Sequence, residues 1–137
     1  MSVAEVVYLL ISKKDSPFKS EKEVKADIRT KLRGRGIYPI NIWQGPLSEN
    51  GISDLLCAVP PWGRIQAVEV KKPGWKPPGE GTGKAYRHYL RQRNFLAKII
   101  KKGGLGYFAS DADMLMEALD SEDVPRFGQQ SLFEAFG

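Results

Sequence analysis

Two short apolar runs, Asp54 to Val59 and Arg64 to Lys71, are separated only by Pro60, Pro61, Trp62 and Gly63. Turn-forming residues between two strand-like runs leave the chain little choice but to reverse, so the stretch reads as a β-hairpin. Alternation along the second run puts Ile65, Ala67, Glu69 and Lys71 on one face, and Gln66, Val68, Val70 and Lys72 on the other. Glu69 and Lys71 therefore point the same way, and an antiparallel return is expected to bring Asp54 near Glu69. Carboxylates at the end of an apolar hairpin carry a desolvation cost. A hard divalent cation, bound by carboxylate oxygens and a backbone carbonyl, would offset it. The competing explanation is a turn-capping Asp54 beside a solvated Glu69–Lys71 pair.

A chain of 137 residues with no internal repeat is long enough for one core but not for two, which favours a single α/β domain. Its formal net charge of +5 and pI near 9.4 permit a polyanionic partner without requiring one. The single cysteine, Cys57, lies inside an apolar strand, which excludes a disulfide framework and a cysteine-based zinc site. It reads as a small buried hydrophobe. With no continuous apolar span of membrane-crossing length and no signal-peptide pattern, a cytoplasmic protein is expected.

Taken in order, Val3 to Ile11 is apolar and too short for periodicity to settle; a short helix is expected, with an edge strand as the alternative. Ser20 to Arg35 is a clearer helix. Ser20 and Glu23 form a capping box, and Val24, Ile28 and Leu32 recur at helical spacing before Gly34 and Gly36. Glu21 falls on the face of those apolar residues and Glu23 nearly opposite. An acid there serves either a metal site or the helix dipole at the edge of the core. Ile37 to Trp43 is β-rich, and Pro39 predicts an edge position or an irregular start rather than a central strand. Gln44 to Gly51 reads as a loop.

Proline and glycine dominate Pro73 to Lys84, which is expected to hold no regular structure. Within it, Trp75, flanked by Lys72 and Lys76, would either stack on a base or pin the loop to the domain. Lys84 to Lys102 is a strong helix carrying a stripe of Arg87, Arg91, Lys98 and Lys101 without acidic partners, a pattern suited to phosphate contact. Gln92 interrupts its apolar side, where a buried amide needs hydrogen-bond partners. His88, the only histidine, lies one turn earlier and reads first as structural, then as a phosphate or water contact. Leu105 to Ala109 reads as a buried strand, parallel to the Glu69 strand through a crossover, and Ser110 or Asp111 caps a last helix through Leu119.

Gly51-Ile52-Ser53-Asp54 followed by Glu69-Val70-Lys71 resembles the signature of the PD-(D/E)XK nuclease superfamily, with Ser53 where proline is usual. The pattern Glu21, Val24, Ile28, Leu32 resembles the first core helix of its VRR-NUC branch. Gln92-Arg93-Asn94-Phe95-Leu96, ending at Gly103-Gly104, is similar to that branch's glutamine-bearing helix. The four points fall in family order from about Glu21 to Met116. The resemblance implies a restriction-endonuclease-like core, a mixed β-sheet flanked by α-helices, in residues 1–120. It implies an endonuclease hydrolysing DNA phosphodiesters with Mg²⁺, for which Mn²⁺ substitutes. Asp54, Glu69 and the Val70 carbonyl would hold the metal, with Glu21, Lys71 and Gln92 completing the catalytic set. Lys72, Trp75, Lys76, Arg87, Arg91 and Lys98 would contact DNA. Standalone proteins of this kind are often phage-encoded and act on Holliday junctions, which implies a role in repair, recombination or replication and favours a homodimer.

In the tail, residues 121–137, Gln129-Gln130-Ser131-Leu132-Phe133 resembles the peptide by which polymerases and repair proteins bind a sliding clamp. Gln129, Leu132, Phe133 and Phe136 would be the anchors, although Ala135 replaces an expected aromatic; the rival is packing of these side chains on their own domain. Two other functions compete with a structure-selective nuclease. One is a non-cleaving DNA-binding module tethered to a clamp. The other is a sequence-specific restriction-type endonuclease, for which no base-reading element is visible.

Overall fold

The computed structural model describes residues 8–13, 20–42 and 54–121. In chain order they form β1 (Tyr8–Leu10), α1 (Glu21–Gly34), β2 (Tyr38–Asn41), β3 (Leu55–Val59), β4 (Arg64–Val70), α2 (Lys84–Lys101), β5 (Leu105–Ala109) and α3 (Ala112–Ser121). The strands make one five-stranded mixed sheet in the order β1-β5-β4-β3-β2. β1, β5 and β4 run parallel, whereas β3 is antiparallel to both β4 and β2.

Each element follows from local chemistry. The hairpin forms where the two apolar runs placed it, with Leu55 opposite Val68 and Val59 opposite Arg64. α1 starts at the expected capping box: the Glu23 N–H donates to Ser20 Oγ at 3.2 Å, and Ser20 Oγ donates back to Glu23 Oε1 at 3.0 Å. β2 is an edge strand, as Pro39 requires. Asp111, rather than Ser110, caps α3 by accepting from the Met114 N–H at 2.9 Å. Gly103, just past the Lys102 cap of α2, has a φ of +96° that suits glycine. Next to it, a Cβ on Gly104 would lie 2.8 Å from the Ile65 carbonyl oxygen, so only glycine lets this turn pass against β4.

The sheet is covered on both faces. α1 and α3 bury Val24, Ile28, Leu32, Leu115 and Leu119 against Leu55, Cys57, Val59, Val68 and Val70. α2 packs Phe95 and Leu96 on Ala67 and Phe108 of the opposite face. Burial pushes the Cys57 thiol up to about 12, so it stays protonated and behaves as a small core hydrophobe.

Two expectations are corrected. The run Val3 to Ile11 was expected to be helical, but Tyr8–Leu10 is a strand, with Tyr8 opposite Tyr107 and Leu10 opposite Ala109. Sheet pairing with a distant strand outweighs local preference there: Ser110 N–H donates to the Leu10 carbonyl at 3.0 Å, and Ser12 N–H to Ser110 Oγ at 2.7 Å. Second, the segment expected to be wholly irregular contains a short 3₁₀ turn, Glu80–Thr82, closed by Thr82 Oγ1 on the Gly79 carbonyl. The expected loop 44–51 and the tail 122–137, with its proposed clamp anchors, lie outside the described residues. Among the described residues no helix is long and apolar enough to cross a membrane.

Candidate active site

The alternation that buries Val68 and Val70 under α1 turns Ala67, Glu69 and Lys71 towards α2. Continuing the β3–β4 register by one residue sets Asp54 directly opposite Glu69, and directly opposed residues of an antiparallel pair share a face. The Asp54 carboxylate is fixed there by the Val70 N–H, which donates to its Oδ2 at 2.9 Å.

From above, α2 contributes Gln92, which is 4% exposed. Its Nε2 donates to Glu69 Oε1 at 2.6 Å, and its Oε1 accepts from Lys71 Nζ at 3.0 Å. The polar residue that interrupts the apolar side of the helix thus finds the partners its burial demands, and a single amide ties the acid to the amine. Lys71 Nζ also stands 5.0 Å from the centroid of the Trp75 ring, which lends it a favourable quadrupole.

Glu69 is 3% exposed. Its burial, reinforced by the Asp54 charge, pushes its carboxyl up to about 9, while Lys71 pulls the other way. Its Oε2 is buried without a hydrogen-bond partner. Two deprotonated carboxylates offer each other no donor, so the pair calls for something positive between them: a proton or a cation. The set of hard oxygens from Asp54 and Glu69 fits a small divalent ion of the magnesium kind, which binds through one or two carboxylates and keeps several waters. Among the described residues no group of three or more histidine, cysteine, aspartate or glutamate side chains gathers to hold a metal. Asp54 and Glu69 are therefore a two-acid site.

Of the expected site residues, Asp54, Glu69, Lys71 and Gln92 come together. Glu21 does not join them: it is exposed in the first turn of α1, ahead of the buried Val24. Trp75 is half-buried, stacked on Phe108 at 5.1 Å and tilted against Tyr89 at 6.0 Å. Its indole pins the loop after β4 to the sheet. Lys72, Lys76, Arg87, Arg91 and Lys98 are exposed, and among the described residues none of them is within ion-pair distance of a carboxylate. Sequence reasoning did not include the backbone N–H of Val70, which no side-chain pattern reveals.

A scan against protein-family models and a search of curated proteins give no match. Among solved structures, one described as "VRR_NUC domain" superposes with a TM-score of 0.54 at 21% identity, over 75% of this chain and 97% of that chain. At that identity the likeness concerns the fold. The mixed sheet with α2 on one face and α1 and α3 on the other is a VRR-NUC-type, restriction-endonuclease-like fold.

Proposed function

We propose that this chain is a Mg²⁺-dependent DNA endonuclease, selective for branched DNA such as four-way junctions and serving repair, recombination or replication. The observation that carries the reading is the buried Glu69 carboxyl. One of its oxygens is held by Gln92 and the other has no donor, and Asp54 stands opposite. Such a group is costly in a fold unless a cation or a proton uses it.

Asp54, Glu69 and the Val70 carbonyl would hold the metal. When bound, Mg²⁺ polarises the scissile phosphate and lowers the pKa of a coordinated water. The chain's own groups do the rest. The Val70 N–H holds Asp54 in place, and Gln92 keeps Glu69 and Lys71 in fixed relation. The Lys71 ammonium positions the attacking water and offsets charge growing on the phosphate oxygens. Exposed Glu21 would act through water rather than as a direct ligand. Lys72, Lys76, Arg87, Arg91 and Lys98 would bind the phosphate backbone around the cut.

Cleavage of plasmid and four-way-junction DNA with Mg²⁺ or Mn²⁺ tests the proposal, with Asp54→Ala and Glu69→Ala as controls. The expected result is metal-dependent cutting of the junction by the wild type alone, with linear duplex mostly intact. Discrete fragments from linear duplex would instead mean a sequence-specific enzyme. Equal DNA binding by all three proteins without any cutting would mean a non-cleaving module and end the nuclease reading.

A further inference from the structure

We propose that His88 is a substrate-contacting residue of this site, its imidazole N–H donating to a phosphate oxygen of the bound DNA strand; the inference rests on the nuclease reading above. α2 runs opposite to β4. Near its C-terminal end, Arg64 Nε donates to the Gly103 carbonyl and Gly104 lies against Ile65, both at the start of β4. Midway along, Gln92 meets Glu69 and Lys71 at the end of β4. His88 precedes Gln92 by one helical turn, about 5.4 Å, on the same side of the helix. It therefore stands just past the strand end, over the open rim of the site.

Its surroundings agree with that placement. Gln92 is buried whereas His88 is exposed, and among the described residues no hydrogen bond or ion pair engages its ring. Partial burial, then the charges of Lys71 and Arg91, hold its imidazole below the usual histidine value, while Asp54 pulls the other way. The ring thus feels the amine and an acid of the hairpin site together. Near neutral pH it is mostly uncharged, with one N–H to give and one lone pair. A phosphodiester drawn to the Lys71 ammonium would meet that N–H at the rim.

The full chain supplies its own probe, because His88 is its single histidine and its imidazole C–H signals are unique in a proton–carbon spectrum. Four-way-junction DNA is added to the wild type in EDTA, and the same chain is assayed for Mg²⁺-dependent cleavage beside His88→Ala and His88→Asn. The expected result is a DNA-dependent shift of the imidazole signals. Cleavage by His88→Ala should fall roughly tenfold, the scale of one hydrogen bond to a charged group, with unchanged thermal stability. His88→Asn, which keeps an N–H donor, should recover part of the loss. Wild-type cleavage by His88→Ala, or unmoved imidazole signals on DNA binding, would overturn the proposal while leaving the nuclease reading intact. A wild type that binds DNA with an imidazole shift but never cuts would sink the nuclease reading and keep the phosphate contact.

Discussion

Gln92 Nε2 lies 2.6 Å from Glu69 Oε1, so a helix on one face of the sheet holds a strand acid in a set orientation. The same amide accepts from Lys71, and removing it strands both buried partners. Gln92→Ala is expected to slow single-turnover cleavage by about 10²-fold, a magnitude typical of losing an aligned electrostatic group. DNA affinity, read by fluorescence anisotropy, should change by less than about threefold because the cations proposed to contact phosphate are untouched. A matching loss of affinity would mean that Gln92 shapes the binding surface rather than the acid and amine.

Glu69 links the site to stability. Its carboxyl titrates ordinarily near 4.5 and is held up to about 9 in the fold by burial and by Asp54. Between those values the folded chain keeps a proton that the unfolded chain has lost, so the contribution of this group falls as pH rises and is least favourable above about 9. Glu69→Gln keeps an acceptor for Gln92 and gives Asp54 a donor. It should therefore stabilise the metal-free chain near pH 8 by about 1–3 kcal/mol and flatten the pH dependence, while abolishing cleavage. Urea unfolding in EDTA at several pH values checks both. A variant less stable than the wild type at pH 8 would contradict the charge argument.

Most of this site was legible because its residues obey simple periods. The two-residue alternation of β4 tied Glu69 to Lys71, the short turn tied Asp54 to Glu69, and the helical spacing around Gln92 exposed one amide among hydrophobes. β1 was not legible, because Val3 to Ile11 carries no clear period and its partner β5 lies about a hundred residues away, with Ser12 bonded to Ser110. Glu21 shows a different limit. Helical spacing sets it on the inward face, yet in the first turn of α1, ahead of the buried Val24, the side chain is exposed. Trp75 was ambiguous for a related reason: composition marks an aromatic in a basic loop, and only the positions of Phe108 and Tyr89 show that it turns inward.

Gln66 offers a test of core energetics away from the chemistry. It is fully buried on β4, opposite Cys57 and Leu105, and neither amide atom has a hydrogen-bond partner. Gln66→Met, of similar length and without the polar cost, is expected to raise stability by about 1–2 kcal/mol in denaturant unfolding and to leave cleavage unchanged. A destabilised variant would show that a buried water completes the amide.

The tail supplies a separable prediction. Removing residues 129–137, which carry Gln129, Leu132, Phe133 and Phe136, should abolish pull-down of a sliding clamp while altering junction cleavage by less than about twofold. Retained pull-down would refute a clamp role for these side chains.

Among the described residues the first strand lies beside the last, and β4 is paired with β5 on the same side, with the Lys71 N–H donating to the Ala109 carbonyl. A ribosome-bound fragment ending before Leu105 thus carries every proposed acid and amine but lacks β5, the strand that pairs with β4 from Gln66 to Val70. The proposed cleavage would therefore be acquired only after β5 has joined the sheet, late in synthesis.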